Sequence, residues 1–325
     1  MDSITKQSEA THAKHCVIQI KNLTKDFGGG RGVFDVSFDV GKGEVFGFLG
    51  PNGAGKTTAI RHLLGFSKPQ SGSCAIVGLD CWKQPSKIQE HLGYLAGEIA
   101  YPEGMSGWQF IKQIADMRKS DLKRAQELCD YFKLNATGKL KRMSKGMKQK
   151  MGLVIAFMHD PEIIILDEPT SGLDPLMQAR FCDLVAKEKA RGKTILMSSH
   201  MFEEVEKTCD RVAIIKQGKI VAEVNIKDIE HKKDKEFEIR FKDKKDTEAF
   251  TKQKYQFTEK NIAKNRVKVI VHDEDINEFL AAVNKFKIEY ISEIKFTLEK
   301  YFMQYYGEER DISSSRRYKE DDKNE

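Results

Sequence analysis

The sequence predicts an α/β domain with a mostly parallel sheet, followed by a smaller α+β domain. An apolar run, EVFGFLG, leads into a glycine-rich loop and then into the helical pattern TTAIRHLLGF. Strand, loop and helix in this order open a parallel α/β sheet. Near residue 227 the charge density rises, and short strands begin to alternate with helices in a different order.

Length and charge limit the class of protein. At 325 residues, the chain is long enough for two domains. The formal net charge of +6 is spread over a chain in which 32% of residues are charged, and this diluted excess gives no reason to expect nucleic acid as a partner. No apolar run approaches the roughly 20 residues that span a bilayer, so we expect any membrane role to depend on a partner protein.

The first domain is predicted over residues 17–226, after a polar extension of residues 1–16. Two β-rich runs, VIQIKNLTKDF and VFDVSFDV, flank a glycine cluster, which predicts an antiparallel edge of the main sheet. Apolar strands follow at 163–166 and 194–198, as IIIL and TILMS. The Lys-rich segment that precedes the first of these two strands has a helical period and predicts an inserted helical subdomain at about 99–158.

The second domain is predicted over residues 227–307. Strands are expected at 237–241, 255–258, 267–271 and 288–294, and helices at 246–254 and 274–286. This β-α-β-β-α-β order predicts a ferredoxin-like fold, closed by the helix LEKYFMQYYG. Residues 308–325 lack an apolar period and are expected to be a disordered tail.

A phosphate-binding loop is predicted at residues 50–58. The segment reads Gly50, Pro51, Asn52, Gly53, Ala54, Gly55, Lys56, Thr57, Thr58 and fits GxxxxGK[ST] between a strand and a helix. Glycines let backbone N–H groups approach phosphate oxygens, and the helix N-terminus adds positive potential. Lys56 suits the β and γ phosphates, and the Thr57 hydroxyl suits Mg²⁺. A Rossmann site is disfavoured, because no acid ends a strand about 20 residues later.

Two acids follow the strand EIIIL. Asp167 and Glu168 lie at the predicted carboxyl edge of the sheet, where ligands collect in open α/β folds. Asp167 suits a metal ion, directly or through water, and Glu168 suits alignment or deprotonation of the attacking water. A role as a helix cap is common for a single acid, but the neighbouring phosphate loop favours the functional role.

These two sites, with SGLD after the second and a lone histidine after the strand TILMSS, resemble the nucleotide-binding domains of ATP-binding-cassette (ABC) transporters. The match covers about residues 17–223. It implies a P-loop cassette that binds ATP and Mg²⁺ and couples ATP hydrolysis to transport. It also implies roles for single residues: Phe27 stacks on adenine, Lys56 and Thr57 hold phosphate and Mg²⁺, Asp167 holds the metal, Glu168 is the catalytic carboxylate, His200 senses the γ-phosphate, and residues 171–174, ending in Asp174, contact the opposite subunit.

The segment MSKGM, residues 143–147, stands where the family has its LSGGQ signature. By resemblance, Ser144 and Gly146 bind the γ-phosphate held by a partner. This implies a head-to-tail dimer with a second ATP-binding cassette, expected as a homodimer, with two different cassettes left open. Closure and reopening would move a polytopic membrane permease subunit, so the chain is expected at the cytoplasmic face of the cell membrane.

The sequence also departs from the family pattern. Lys145 and Met147 replace a glycine and a glutamine of the signature, and Gly97-Glu98 stands where a glutamine marks the lid loop. We assign Glu98 part of that glutamine's work at the metal. These features and the C-terminal extension resemble the bacterial branch associated with antibiotic and multidrug efflux, which implies export of a drug, an antibiotic or a lipid-like molecule.

Two other functions are compatible with parts of the sequence. A soluble cassette ATPase of translation or DNA repair would be expected to carry tandem cassettes or a long coiled-coil insertion, and neither is present in this sequence. An RNA-binding module is compatible with the predicted second domain. The strand at 267–271, VKVIV, lacks the aromatic residues that stack on bases.

Overall fold

A computed structural model describes residues 16–306 of the chain. They form two compact units, divided between Val224 and Asn225. The predicted boundary at residues 226–227 lies close to this division. Most of the polar extension predicted over residues 1–16, and the tail predicted over residues 308–325, lie outside the described residues.

The first unit alternates strands and helices. Its strands are β1 (Cys16–Asp26), β2 (Gly32–Gly41), β3 (Val45–Leu49), β4 (Ser71–Ile76), β5 (Leu79–Asp80), β6 (Leu92–Leu95), β7 (Ile163–Asp167), β8 (Thr194–Ser199), β9 (Arg211–Lys216) and β10 (Lys219–Asn225). Its helices are α1 (Lys56–Leu63), α2 (Pro85–Glu90), α3 (Gly107–Arg118), α4 (Lys123–Tyr131), α5 (Lys145–Phe157), α6 (Pro175–Ala190) and α7 (Phe202–Thr208).

A six-stranded sheet in the order β10-β9-β3-β8-β7-β6 forms the centre of this unit. The pairs β3–β8, β3–β9, β7–β8 and β6–β7 are parallel. Strands β3, β7 and β8 are buried along their whole length, which explains their continuous apolar sequences. In register, Leu49 lies opposite Ser199, and Asp167 lies opposite Ser198. The segments that follow these three strands therefore meet at one edge of the sheet.

The antiparallel strands form a sheet of their own, in the order β2-β1-β4-β5. The prediction that they extend the edge of the main sheet was wrong. Strand β1 pairs with β2 and β4, and these strands bury apolar side chains such as Ile18 and Phe38 in a core that they share with the main sheet. The two layers share one apolar core, in which Phe38 of β2 stacks on Phe46 of β3 with ring centroids 5.1 Å apart.

The region predicted as an inserted helical subdomain contains α3, α4 and α5. Helix α3 begins with a reciprocal cap: the Gln109 N–H donates to the Ser106 hydroxyl, and the Ser106 N–H donates to the Gln109 side chain. Such a cap satisfies two N–H groups that the first turn leaves unpaired.

Within residues 16–306, no helix combines the length and apolar character needed to cross a bilayer.

The second unit contains helices α8 (Ile226–Glu230), α9 (Lys244–Phe250), α10 (Ile276–Val283) and α11 (Leu298–Tyr306), and strands β11 (Asp234–Phe241), β12 (Gln256–Asn261), β13 (Arg266–His272) and β14 (Ile288–Ile294). The strands form an antiparallel sheet in the order β12-β13-β11-β14. Both internal helices are shorter than predicted, because turns replace the last residues of α9 and a 3-10 turn precedes α10. Phe241, Phe250 and Phe279 fill the core of this unit.

Candidate functional site

The loop after β3 leaves no room for side chains at two of its glycines. A Cβ at Gly50 would lie 2.5 Å from the carbonyl oxygen of Ile215, and a Cβ at Gly55 would lie 2.9 Å from Cγ1 of Val33. Gly55 also has a φ of 111°, in the left-handed region that favours glycine. A Cβ at Gly53 would meet open space. The loop is thus pressed against the fold on one side and open on the other.

This open side faces a cleft of about 270 Å³. Its lining consists of Phe27, Arg31, Gly32, Pro51, Asn52, Gly53, Gly55, Lys56, Thr57, Thr58 and Glu168. Lys56 starts helix α1 and is 5% exposed. Its ammonium donates to the carbonyl oxygen of Gly50 at 2.6 Å and approaches that of Pro51 at 3.3 Å. The cation is therefore held at the base of the loop, beside N–H groups at the start of a helix.

Asp167 ends β7 and is almost completely buried. Its Oδ2 accepts a hydrogen bond from the Thr57 hydroxyl at 2.7 Å, and its Oδ1 accepts one from the Ser198 hydroxyl at 2.5 Å. A hydroxyl and a carboxylate in direct contact are hard oxygen donors of the kind that Mg²⁺ prefers. The residues present therefore fit a magnesium ion shared with phosphate oxygens.

Glu168 leaves the strand in a left-handed conformation, with φ of 50°. Its N–H lies 3.2 Å from the carbonyl oxygen and 3.1 Å from the hydroxyl of Ser198. Its carboxylate lies between two other predicted site residues: Oε1 is 3.0 Å from Lys56 Nζ, and Oε2 is 2.5 Å from His200 Nδ1. The structure thus brings together the loop after β3, the acid after β7 and the histidine after β8.

Phe27 follows β1 and lines the cleft with 55% of its surface exposed. A ring this exposed is available for stacking, and Lys25 Nζ lies 5.7 Å from its centroid. Glu98 is placed differently. Its side chain is exposed. The neighbouring residue Gly97 instead packs against Asp167, and a Cβ at Gly97 would lie 3.1 Å from Asp167 Oδ2. A metal role for Glu98 stays a prediction.

Ser144, Gly146 and Asp174 do not line this cleft in the described part of the chain. Ser144 caps α5 by accepting from the Met147 N–H at 3.3 Å, and Asp174 caps α6 by accepting from the Met177 N–H at 3.0 Å. The two caps are neighbours, because a Cβ at Gly146 would lie 2.8 Å from the carbonyl oxygen of Gly172. They form a second surface, with Ser144 and Asp174 exposed.

Sequence reasoning missed several residues of the site. Ser198 contacts both Asp167 and Glu168, and Arg31 is an exposed cation on the wall of the cleft. Gln149 of α5 donates to backbone carbonyls next to Asp167. A hydroxyl ending an apolar strand gave a usable signal for Ser198. Gln149 gave none, because its partner is a backbone group distant in sequence.

Fold and cleft together define a P-loop ATPase cassette. The ABC transporter family model matches residues 33–171. The chain is 39% identical over 216 residues to an uncharacterized ABC transporter ATP-binding protein, YhcH, of Bacillus subtilis, covering 65% of this chain and 71% of that protein. It belongs to the ABC transporter family and is an ATP-binding subunit, as the sequence resemblance predicted.

Two further likenesses extend this result. Over 298 residues the chain is 29% identical to the bacitracin transport ATP-binding protein BcrA of Enterococcus faecalis, covering 90% of this chain and 96% of that protein. A solved structure described as the ATP binding subunit of an ABC transporter aligns with a TM-score of 0.61 and 30% identity, covering 66% of this chain and 91% of that one.

Proposed function

We propose that this chain is the motor of an exporter that moves a drug, an antibiotic or a lipid-like molecule through a separate polytopic permease at the cytoplasmic face of a membrane. The likeness to BcrA spans nearly the whole of both chains and supports this choice of cargo. The contact of Lys56 and His200 with the two oxygens of Glu168 supports the hydrolytic role most directly.

In the proposed reaction the cleft holds ATP with its triphosphate on residues 50–58. Phe27 stacks on the adenine, and the Lys56 ammonium binds the terminal phosphates. Glu168 accepts a hydrogen bond from the attacking water and polarises it, while His200 orients that carboxylate and contacts the γ-phosphate. Thr57 and Asp167 would hold Mg²⁺, with Glu98 as a further predicted contributor. When bound, the ion neutralises charge that develops on the phosphate oxygens.

The second surface supports a head-to-tail dimer with another cassette, proposed as a homodimer. Ser144 and Gly146 at the start of α5, and Asp174 at the start of α6, are absent from the cleft lining of their own chain. A helix N-terminus with a hydroxyl and a glycine suits a phosphate. The γ-phosphate of an ATP molecule held by the partner would bind to this helix N-terminus. ATP would then link the two chains, and its hydrolysis would release them.

For the second unit we propose a ferredoxin-like accessory domain, on the basis of its element order and sheet order. An RNA-binding role is less favoured. On β13 the cations Arg266 and Lys268 are paired with Glu259, at 2.5 Å and 2.9 Å, and are therefore committed to intramolecular contacts. The β13 strand also contains no Phe, Tyr or Trp for stacking on bases.

Glu168→Gln tests the hydrolytic role. We expect kcat for ATP hydrolysis to fall by about 10²- to 10⁴-fold, the usual contribution of a general base, while ATP binding by calorimetry persists. The matched control is Glu162→Gln, which should retain the wild-type rate. Glu162 is an exposed acid that immediately precedes the first residue of the same strand. A wild-type rate in Glu168→Gln would refute the assignment.

A second experiment tests the transport role. Affinity purification of the full chain from membranes should return a polytopic membrane protein. Recovery of ribosomes or DNA instead would support the soluble translation or repair ATPase.

A further inference from the structure

Helix α5 contains a polar side chain that the proposed reaction does not use. Gln149 is 3% exposed. Its Nε2 donates to the carbonyl oxygen of Glu168 at 3.0 Å and to the carbonyl oxygen of Pro169 at 2.8 Å. A carboxamide nitrogen has two N–H groups, so these two bonds use its full donor capacity. A side chain of α5 is thus joined to the backbone on the C-terminal side of the proposed catalytic acid.

The position of this contact matters because Glu168 has an unfavourable backbone. A residue with a Cβ pays a steric cost in the left-handed region, and such conformations persist only where surrounding contacts impose them. Ser198 holds the N–H of Glu168, and Gln149 holds its carbonyl oxygen. Contacts on both sides of the residue therefore determine the direction in which its carboxylate points.

We propose that Gln149 is a positioning residue for Glu168, which keeps the carboxylate between Lys56 and His200. The inference rests on the hydrolytic role proposed for Glu168. It also connects two surfaces: Ser144 caps the same helix, so a displacement of α5 on engagement of its N-terminus reaches the backbone of Glu168 through this side chain. The chain thereby has a physical link between its second surface and its own hydrolytic centre.

Two substitutions separate positioning from general packing. Gln149→Met has a similar volume and removes both donors. Gln149→Glu keeps the shape. When protonated, it donates one hydrogen bond to a carbonyl oxygen, and when ionised it donates none and places a negative charge beside two carbonyl oxygens. The activity of the Glu variant should therefore depend on pH in a way that the Met variant does not.

The matched control is Tyr131→Phe. The Tyr131 hydroxyl donates to the carbonyl oxygen of Arg180 at 3.0 Å, which joins α4 to α6. Like Gln149→Met, Tyr131→Phe removes a hydrogen bond from a side chain to a backbone carbonyl. Neither Tyr131 nor Arg180 lines the cleft. A purely structural effect would appear in both variants as a lower midpoint of thermal unfolding.

The test is steady-state ATP hydrolysis by the full chain, with kcat and KM determined from about pH 5.5 to 8. We expect the carboxyl of the Glu variant to titrate in this range, because burial raises the pKa of a carboxyl. We expect Gln149→Met to lose about tenfold or more in kcat, as loss of an orienting partner does, with little change in KM. The ratio of the Gln149→Glu rate to the wild-type rate should fall as pH rises, and the Gln149→Met ratio should stay flat. Tyr131→Phe should retain kcat.

A wild-type kcat in Gln149→Met, or a Gln149→Glu ratio that does not change with pH, overturns the proposal. If Gln149→Met does not fold, the pH dependence of Gln149→Glu decides alone. A wild-type rate in Glu168→Gln would instead refute the hydrolytic assignment, so the two failures are distinguishable.

Discussion

Replacing Glu204 by Gln is expected to stabilise the first unit at alkaline pH and to have a smaller effect at acid pH. Glu204 lies on α7 and is 5% exposed. Burial raises the pKa of its carboxyl from 4.5 to about 7; hydrogen bonds from Ser199 and Thr170 oppose the rise, and the charge of Glu168 adds to it. Burial raises the pKa of the Cys182 thiol on α6 and of the Cys209 thiol, and the charge of Glu204 adds to both rises.

The sign follows from proton binding. The folded state binds this proton more tightly than the unfolded state, so ionisation of Glu204 costs folding stability. This cost is absent below pH 4.5. It grows as pH rises and is complete above about pH 7. At about 1.4 kcal/mol for each pH unit between the two values, the full cost is about 3 kcal/mol. Gln stays neutral and keeps an oxygen that accepts from the Ser199 hydroxyl, so it avoids this cost.

The assay is urea unfolding of the wild type and Glu204→Gln at pH 5 and pH 8.5, followed by tryptophan fluorescence. Trp82 and Trp108 are the two tryptophans of the chain, and both lie in the first unit. Comparing the variant's advantage at the two pH values cancels costs that do not depend on pH. Glu203→Gln, with a side chain 85% exposed, is the control. An equal advantage at both pH values would refute the reasoning.

Three further changes test other parts of the chain. Phe27→Ala should weaken ATP binding in calorimetry by about tenfold, the value of one stacked base, whereas Phe27→Tyr should not. Gly146→Ala should lower ATPase activity, because its Cβ would lie 2.8 Å from the carbonyl oxygen of Gly172. Crowding of this kind typically costs about 1–3 kcal/mol of folding stability. Phe279→Ala, in the core of the second unit, should reduce that unit's unfolding free energy by about 3–5 kcal/mol without changing KM for ATP.

Each of these has a matched control. Phe66→Ala removes an equally exposed ring that does not line the cleft. A Cβ at Gly138 meets nothing within 4 Å. Leu280 is the exposed neighbour of Phe279. A prediction is contradicted if its control variant changes as much as the test variant. It is also contradicted if the test variant keeps the wild-type ATP affinity, ATPase activity or unfolding free energy, respectively.

Recognition of the family from the sequence was confirmed, because its evidence is local. Residues 50–58 combine a loop and the start of a helix within nine consecutive positions, and Asp167 and Glu168 are adjacent at a strand end. The arrangement of sheets was less predictable. Strands β4, β5, β6, β9 and β10 were missed, and β1 and β2 were assigned to the wrong sheet. Strand pairing is decided by partners distant in sequence, which a local apolar pattern does not identify.

By itself, the sequence determined the chemistry available to this protein: a glycine loop with a cation, paired acids at a strand end, and a histidine after another strand. Only the tertiary structure decided which oxygen of Glu168 faces Lys56 and which faces His200, and that Ser198 and Gln149 hold the backbone of that acid. The physical reason is that parallel register places the ends of β3, β7 and β8 side by side, and the packing of α5 delivers a donor to a carbonyl 19 residues away.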